Sequence, residues 1–204
     1  MLAGRGGKHG LRLTAAPPIV HSEAVRSNLE DSSPASPPPR GRGWTRQAAA
    51  LAGFLFASWA VSLLGSLPIR LHGGGWYAAA EKAPWTPPGW MFAAVWLTLY
   101  ATMAVAAWLV WRQRRSPRRN ALRIYALQLA LNLAWPPVFF GLYPVLGVAA
   151  LWLALLVLAA LAVTAMLTVL RFGPISTVAG VLMLPNVSWI VFSGSLNLYA
   201  ALNN

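Results

Sequence analysis

The sequence predicts an all-α integral membrane protein, a bundle of five transmembrane helices with a long loop between the first and second. Two observations carry this. The 204-residue chain is 57% hydrophobic and only 10% charged, against about 25% charged in an ordinary soluble domain. Its apolar residues also arrive in five blocks, each near the roughly 20 residues that cross a bilayer core as a helix. A third observation sets the domain plan. Residues 1–44 are Pro-, Ser- and Arg-containing with no apolar period, and such a segment cannot bury enough surface to offset its ordering entropy. They read as a disordered basic tail ahead of a membrane domain at 45–204. A processed targeting extension is the other reading, which Glu23, Glu30 and Asp31 oppose.

The five spans are predicted at about residues 47–67, 89–111, 120–142, 145–170 and 174–200. Pro68, Pro117, Pro144 and Pro174 fall where helices end or begin, positions that tolerate a missing N–H. The first span is too long for a signal peptide and has no convincing cleavage site. Short turns join the last four spans, whereas the segment between the first two is long and reads WYAAAEKAPWTPPGW at 76–90. Three tryptophans, a tyrosine and three prolines in fifteen residues are costly for a simple connector.

Charge sets the expected orientation. Seven Lys or Arg lie in the tail through Arg46, six Arg lie at 112–123, and Arg171 comes after the fourth span. With five spans these segments share one side, which the positive-inside rule makes cytoplasmic. The 76–90 segment then faces the opposite compartment. The net charge of +12 is therefore a topology signal, and no nucleic-acid partner is expected. Membrane lipid is the expected surrounding.

Several function classes lose ground. No charged residue sits well inside a span, which disfavours ion-coupled transport. There are no paired carboxylates, no Ser-His-Asp set and no phosphate loop. Cysteine is absent, and His9, His21 and His72 all lie outside the apolar blocks. No metal site is expected, and no cofactor is required. Glu81 reads as a solvated residue on an Ala-rich turn.

The spans do carry aromatic and amide residues at helical spacing. Gln128, Asn132, Trp135 and Phe139 share one face of the third span, and Asn186, Trp189, Ser193 and Asn197 share one face of the fifth. Phe92, Trp96, Tyr100 and Met103 share a face of the second. Trp44, Trp76, Trp90 and Trp111 near the span ends read as an interfacial belt. For Trp96, Asn132, Trp135 and Trp189, deeper in, two readings stand: helix packing, or the wall of a pocket in the half of the membrane beneath the loop. Ala126, Ala130 and Ala134 form a small-xxx-small row that points roughly 160° from Asn132. It would suit a homodimer contact. Pro136 and Pro137 would kink the third span and free backbone carbonyls.

Three segments, WYAAAEKAPWTPPGWMFAAVW, QLALNLAWPPVFFGL and PNVSWIVFSGSLN, resemble the hallmark segments of the TspO/MBR family, the tryptophan-rich sensory proteins and translocator proteins. The resemblance covers about residues 50–204. It implies a five-helix, usually dimeric bundle that binds tetrapyrroles such as protoporphyrin IX, as sensor, scavenger or transporter. Some members also take sterols and other small hydrophobic molecules. Matched residue by residue, it implies ligand-lining roles for Tyr77, Trp85 and Pro87 in the loop, and for Trp96, Asn132, Trp135, Trp189 and Ser193 in the helices. Some members promote light-dependent porphyrin breakdown, in which Trp96 would hold the catalytic position. The chain departs from the family pattern at Pro84, one place late before Trp85, at Asn186, where an aromatic is usual, and at the extra Pro136. No basic residue comes after Tyr199, which weakens the proposed sterol pattern.

Overall fold

The computed structural model describes residues 41–113 and 117–204. The expected tail thus lies outside the described residues, except for its last four, which are helical. Among the described residues seven helices succeed one another: α1 (Gly41–His72), the short α2 (Trp76–Ala79), α3 (Gly89–Trp111), α4 (Arg118–Pro136), the short α5 (Tyr143–Leu146), α6 (Val148–Phe172) and α7 (Thr177–Asn203). A π-helical turn, Pro137–Gly141, extends α4. Among the described residues five helices, counting α4 with its π turn, are long and apolar enough to cross a membrane. Their outer faces carry Phe56, Leu63, Leu156 and Val191, each more than 60% exposed. Water would not tolerate so much apolar surface, and lipid does. The protein is an integral, multi-pass membrane protein.

α1 is longer at both ends than its apolar block. At its start, the Trp108 indole donates to Gln47 O at 3.1 Å and the Arg46 guanidinium lies 5.6 Å from the Trp111 ring centroid. These contacts from the end of α3 hold the first turn of the expected membrane domain, next to the residues that composition assigned to the tail. At its other end the helix runs through Pro68 to His72. The expected stop at Pro68 is corrected: a proline removes one intrahelical hydrogen bond, and the residues beyond it still pair.

α1 packs on α3 and α4, α3 on α7, α7 on α6, and α6 on α4. The five long helices therefore close a ring in the order α1, α3, α7, α6, α4. In this ring α4 and α7 are not neighbours. They face each other across its interior, and that placement decides what the interior contains.

At the arginine-bearing end the interior is packed with apolar side chains. Met103, Val110, Tyr125, Leu129, Phe172 and Met183 belong to one buried cluster drawn from α3, α4, α6 and α7. Ser58 and Tyr125 share a 2.9 Å hydrogen bond that ties α1 to α4, and a Cβ on Gly65 would stand 3.6 Å from the Pro136 ring. At the opposite end Phe139, Phe140, Leu151, Ala154, Ala200 and Ala201 form a second cluster beneath the α1–α3 loop.

Gly147 joins α5 to α6 with φ 57° and ψ −138°, a conformation open essentially to glycine. Gly147→Ala is expected to cost about 1–2 kcal/mol of bundle stability. SDS-induced unfolding from mild detergent, followed by tryptophan fluorescence, measures it.

Candidate functional site

The interior faces predicted from spacing are buried, and much of their hydrogen-bonding capacity is unmet. Gln128 and Asn132 on α4, and Asn186, Ser193 and Asn197 on α7, are all buried. Among the described residues six buried side-chain polar atoms have no protein partner: Gln128 Oε1, Asn132 Oδ1, both polar atoms of the Asn186 amide, Trp189 Nε1 and Ser193 Oγ. All belong to α4 and α7. Leaving such atoms unpaired away from water costs about 1–3 kcal/mol each, so native proteins almost always give them a partner.

Their position is bounded from both ends. Toward the arginine end, Tyr125 and Leu129 of α4 and Met183 of α7 sit in the apolar cluster. Toward the loop end, the Trp135 indole donates to Asn197 Oδ1 at 3.1 Å, and Asn197 Nδ2 donates to Leu151 O of α6 at 2.9 Å. The unpaired atoms of Asn132, Asn186, Trp189 and Ser193 fall on α4 and α7 between these two layers, whereas Gln128 stands level with the apolar cluster, between Tyr125 and Leu129. Asn132 spends its Nδ2 locally, on Gln128 O at 3.1 Å, while Gln128 Nε2 reaches only the weak acceptor Met103 Sδ at 3.3 Å. Pro136 and Pro137 have no N–H to give Asn132 O and Leu133 O, their regular helical acceptors. This adds acceptor capacity on the same turns.

Aromatic rings surround the polar set. Trp135 stacks on Phe139 at 5.0 Å and meets Phe140 edge-on at 6.0 Å. Tyr77 of the loop meets the same two rings at 5.8 and 5.1 Å. Burial raises the Tyr77 phenol above its ordinary value, so it remains a neutral donor across the physiological range. Trp189 packs on Phe92 of α3 at 5.5 Å and on Phe192 at 5.2 Å.

The loop is fastened at two points. Trp76 stacks on Tyr143 at 3.7 Å, and its indole donates to Phe140 O at 3.0 Å. On the other side, the Tyr199 hydroxyl donates to Glu81 Oε1 at 2.8 Å, Glu81 N donates to Asn204 Oδ1 at 2.8 Å, and Trp85 Nε1 donates to Ser195 Oγ at 3.3 Å. Two expectations are revised here. Trp76 anchors the loop on the π turn, a contact the belt reading did not foresee, and Glu81 is tied to the end of α7 rather than simply solvated. Both partners lie more than 60 residues away in sequence, beyond what local spacing reveals.

The structure thus brings Tyr77, Asn132, Trp135, Trp189 and Ser193 to the loop-end half of the ring. Trp96 is half-buried, tilted on Tyr100 at 5.6 Å beside the apolar cluster. It makes no ring contact with Trp135 or Trp189; Phe92, one turn away, takes that place. Trp85 is half exposed against Ser195 and Tyr199. Pro87 is partly buried in the extended segment leading to α3. Asn197, Phe139 and Phe92 were not among the expected lining residues, although their spacing had placed them on the right faces. Ala126 and Ala130 are exposed and Ala134 partly so, on the side of α4 away from the interior. A separate depression of about 230 Å³ on α3, lined by Ala94, Val95, Thr98 and Leu99, contains none of the unpaired polar groups.

Among the described residues no three His, Cys, Asp or Glu lie together as a metal-binding group, and Glu81 is the only carboxylate side chain. The arrangement is suited to holding a flat, largely apolar molecule by ring contact and neutral hydrogen bonds.

The TspO/MBR family profile matches residues 50–202 of the chain. The translocator protein of Bos taurus is 38% identical over 137 residues, 66% of this chain and 78% of that protein. The translocator protein of Homo sapiens is 36% identical over 148 residues, 71% and 84% of the two chains. The tryptophan-rich sensory protein of Cereibacter sphaeroides is 37% identical over 147 residues, 72% and 86% of the two chains.

Proposed function

The chain belongs to the TspO/MBR family, and from that premise we propose that its helical ring is a receptor for a tetrapyrrole of the protoporphyrin IX class. The observation that carries this is the set of six unpaired polar atoms, enclosed by rings between α4 and α7 and covered by a fastened loop. A metal-free macrocycle suits it, because among the described residues no buried histidine or cysteine is present in the interior to ligate iron. Trp135, Trp189 and Tyr77 supply ring contact; Asn132 and Ser193 supply neutral hydrogen bonds. Trp85 and Pro87 belong to the cover, and Trp96 to the wall beside Tyr100. The tetrapyrrole is cargo or signal, and no resident cofactor is needed.

Sensing or scavenging fits better than passage through the ring. A solute crossing from loop to arginine end would have to part the cluster of Met103, Tyr125, Phe172 and Met183. Arg46, Arg112, Arg118, Arg119, Arg123 and Arg171 lie at that end, which makes it the cytoplasmic side by the positive-inside rule. The exposed Ala126 and Ala130, with Ala134, would let two copies of α4 approach closely as a homodimer.

Titration of the purified protein with protoporphyrin IX should quench tryptophan fluorescence saturably. The double variant Trp96→Phe, Trp135→Phe is expected to weaken binding about tenfold or more, since a well-placed aromatic pair contributes about 0.5–1.5 kcal/mol. Unchanged affinity in that variant would remove the assigned site.

A further inference from the structure

We propose that the arginine-end corner where α1, α3 and α4 meet binds the headgroup phosphate of an anionic phospholipid. The corner lies outside the ring interior and does not rest on the receptor reading. Contacts between helix ends fix its parts. The Trp108 indole, near the end of α3, donates to Gln47 O of α1 at 3.1 Å. Arg118, at the start of α4, donates through Nη1 to Trp111 O and Gln113 O at 3.1 Å each. The Arg46 guanidinium of α1 lies 5.6 Å from the Trp111 ring centroid, and the Arg112 guanidinium lies 4.8 Å from that of Trp108. Residues three apart on a helix hold their Cβ atoms about 5–6 Å apart, so the two indoles bring both guanidiniums to one patch.

The charge of this patch is unbalanced. Arg46 and Arg112 are exposed, and neither guanidinium has a hydrogen bond or ion pair with another described residue. A ring face steadies a cation without giving its N–H groups the anionic acceptor they match best. Glu81, the only carboxylate side chain among the described residues, lies in the loop at the other end of the bundle. Like charges held together in this way repel unless an anion lies between them. Depth identifies the anion as a lipid's. Trp108 and Trp111 close the span Gly89–Trp111, at the level where tryptophan meets headgroups. Below Arg46, on the same face of α1, come Ala49, Gly53 and Ala57, all exposed. A Cβ on Gly53 would meet nothing within 4 Å, so the small side chains leave a shallow trough for an acyl chain. A phospholipid meets guanidiniums at its head and apolar helix along its tail, whereas free phosphate meets only the first. A choline headgroup would set its own cation against the arginines, so the corner prefers a lipid of net negative charge such as phosphatidylglycerol.

The test uses the full chain in mild detergent, titrated with phosphatidylglycerol and phosphatidylcholine of the same acyl chains and read by native mass spectrometry. Wild type should hold phosphatidylglycerol about tenfold more tightly than phosphatidylcholine. The double variant Arg46→Gln, Arg112→Gln should bring that ratio toward one. The double variant Arg123→Gln, Arg171→Gln removes the same charge from exposed positions at the same end and should leave the ratio near the wild-type value. A wild-type ratio near one would overturn the proposal. An equal fall in both double variants would overturn it too, by showing that diffuse charge rather than this corner attracts the lipid. Millimolar inorganic phosphate that displaces phosphatidylglycerol, where chloride of the same ionic strength does not, would assign the corner to a free anion and overturn the lipid. Protoporphyrin binding is expected to be unchanged in both double variants, and its loss in the first alone would show that Arg46 and Arg112 serve the bundle's fold instead.

Discussion

Replacing Asn197 with leucine is expected to destabilise the bundle by about 2–3 kcal/mol, because it removes two buried hydrogen bonds and strands both partners. Asn197 accepts from the Trp135 indole of α4 and donates to Leu151 O of α6. One side chain on α7 therefore joins three helices at the loop end of the ring. Within a membrane a single interhelical hydrogen bond is worth about 0.6 kcal/mol on average and up to about 1.7. The larger figure expected here comes from the indole N–H and the α6 carbonyl left without partners. SDS unfolding should show an earlier midpoint with an unchanged slope. Protoporphyrin affinity should drop with Asn197→Leu even where the fold persists, since Trp135 loses the bond that orients its ring. A leucine variant with wild-type stability would show that the three-helix junction is held by packing alone.

Gly180→Ala is expected to cost about 2–3 kcal/mol, the range of overpacked sites that cannot relax. A Cβ at Gly180 would stand 2.9 Å from Gly173 Cα and 3.1 Å from Gly173 N. The obstruction is backbone, so no side-chain rotation relieves it. The α6–α7 turn would have to open, and it carries Phe172 and Ile175, both buried in the apolar cluster. Gly194 on the same helix provides the control. A Cβ there meets nothing within 4 Å, so Gly194→Ala should be neutral or stabilising by up to about 1 kcal/mol through helix propensity. Equal unfolding midpoints for the two alanine variants would refute the close approach at Gly180.

The amide and aromatic faces were legible because helical spacing is a local property. Gln128, Asn132 and Trp135 had to share a face once α4 was a helix, and so did Asn186, Ser193 and Asn197. The roles of Trp76 and Glu81 were not legible. Their partners, Phe140, Tyr143 and Tyr199, are brought to them only when the ring closes. Pro68 was misjudged for a related reason. A proline marks a lost hydrogen bond, but whether a helix stops there depends on the residues after it and on the helices packed beside it.

The sequence by itself determined a membrane-spanning five-helix chain, its asymmetry of charge and the polar stripe on each of two helices. These come from composition and from periods of 3.6 residues, which need no tertiary contact. Only the tertiary structure decided that α4 and α7 oppose each other rather than pack side by side. Had they been neighbours, their amides could have paired directly and closed the interior. Held apart by α3 on one side and α6 on the other, they retain six buried polar atoms without protein partners among the described residues, and the proposed ligand is what would meet that demand.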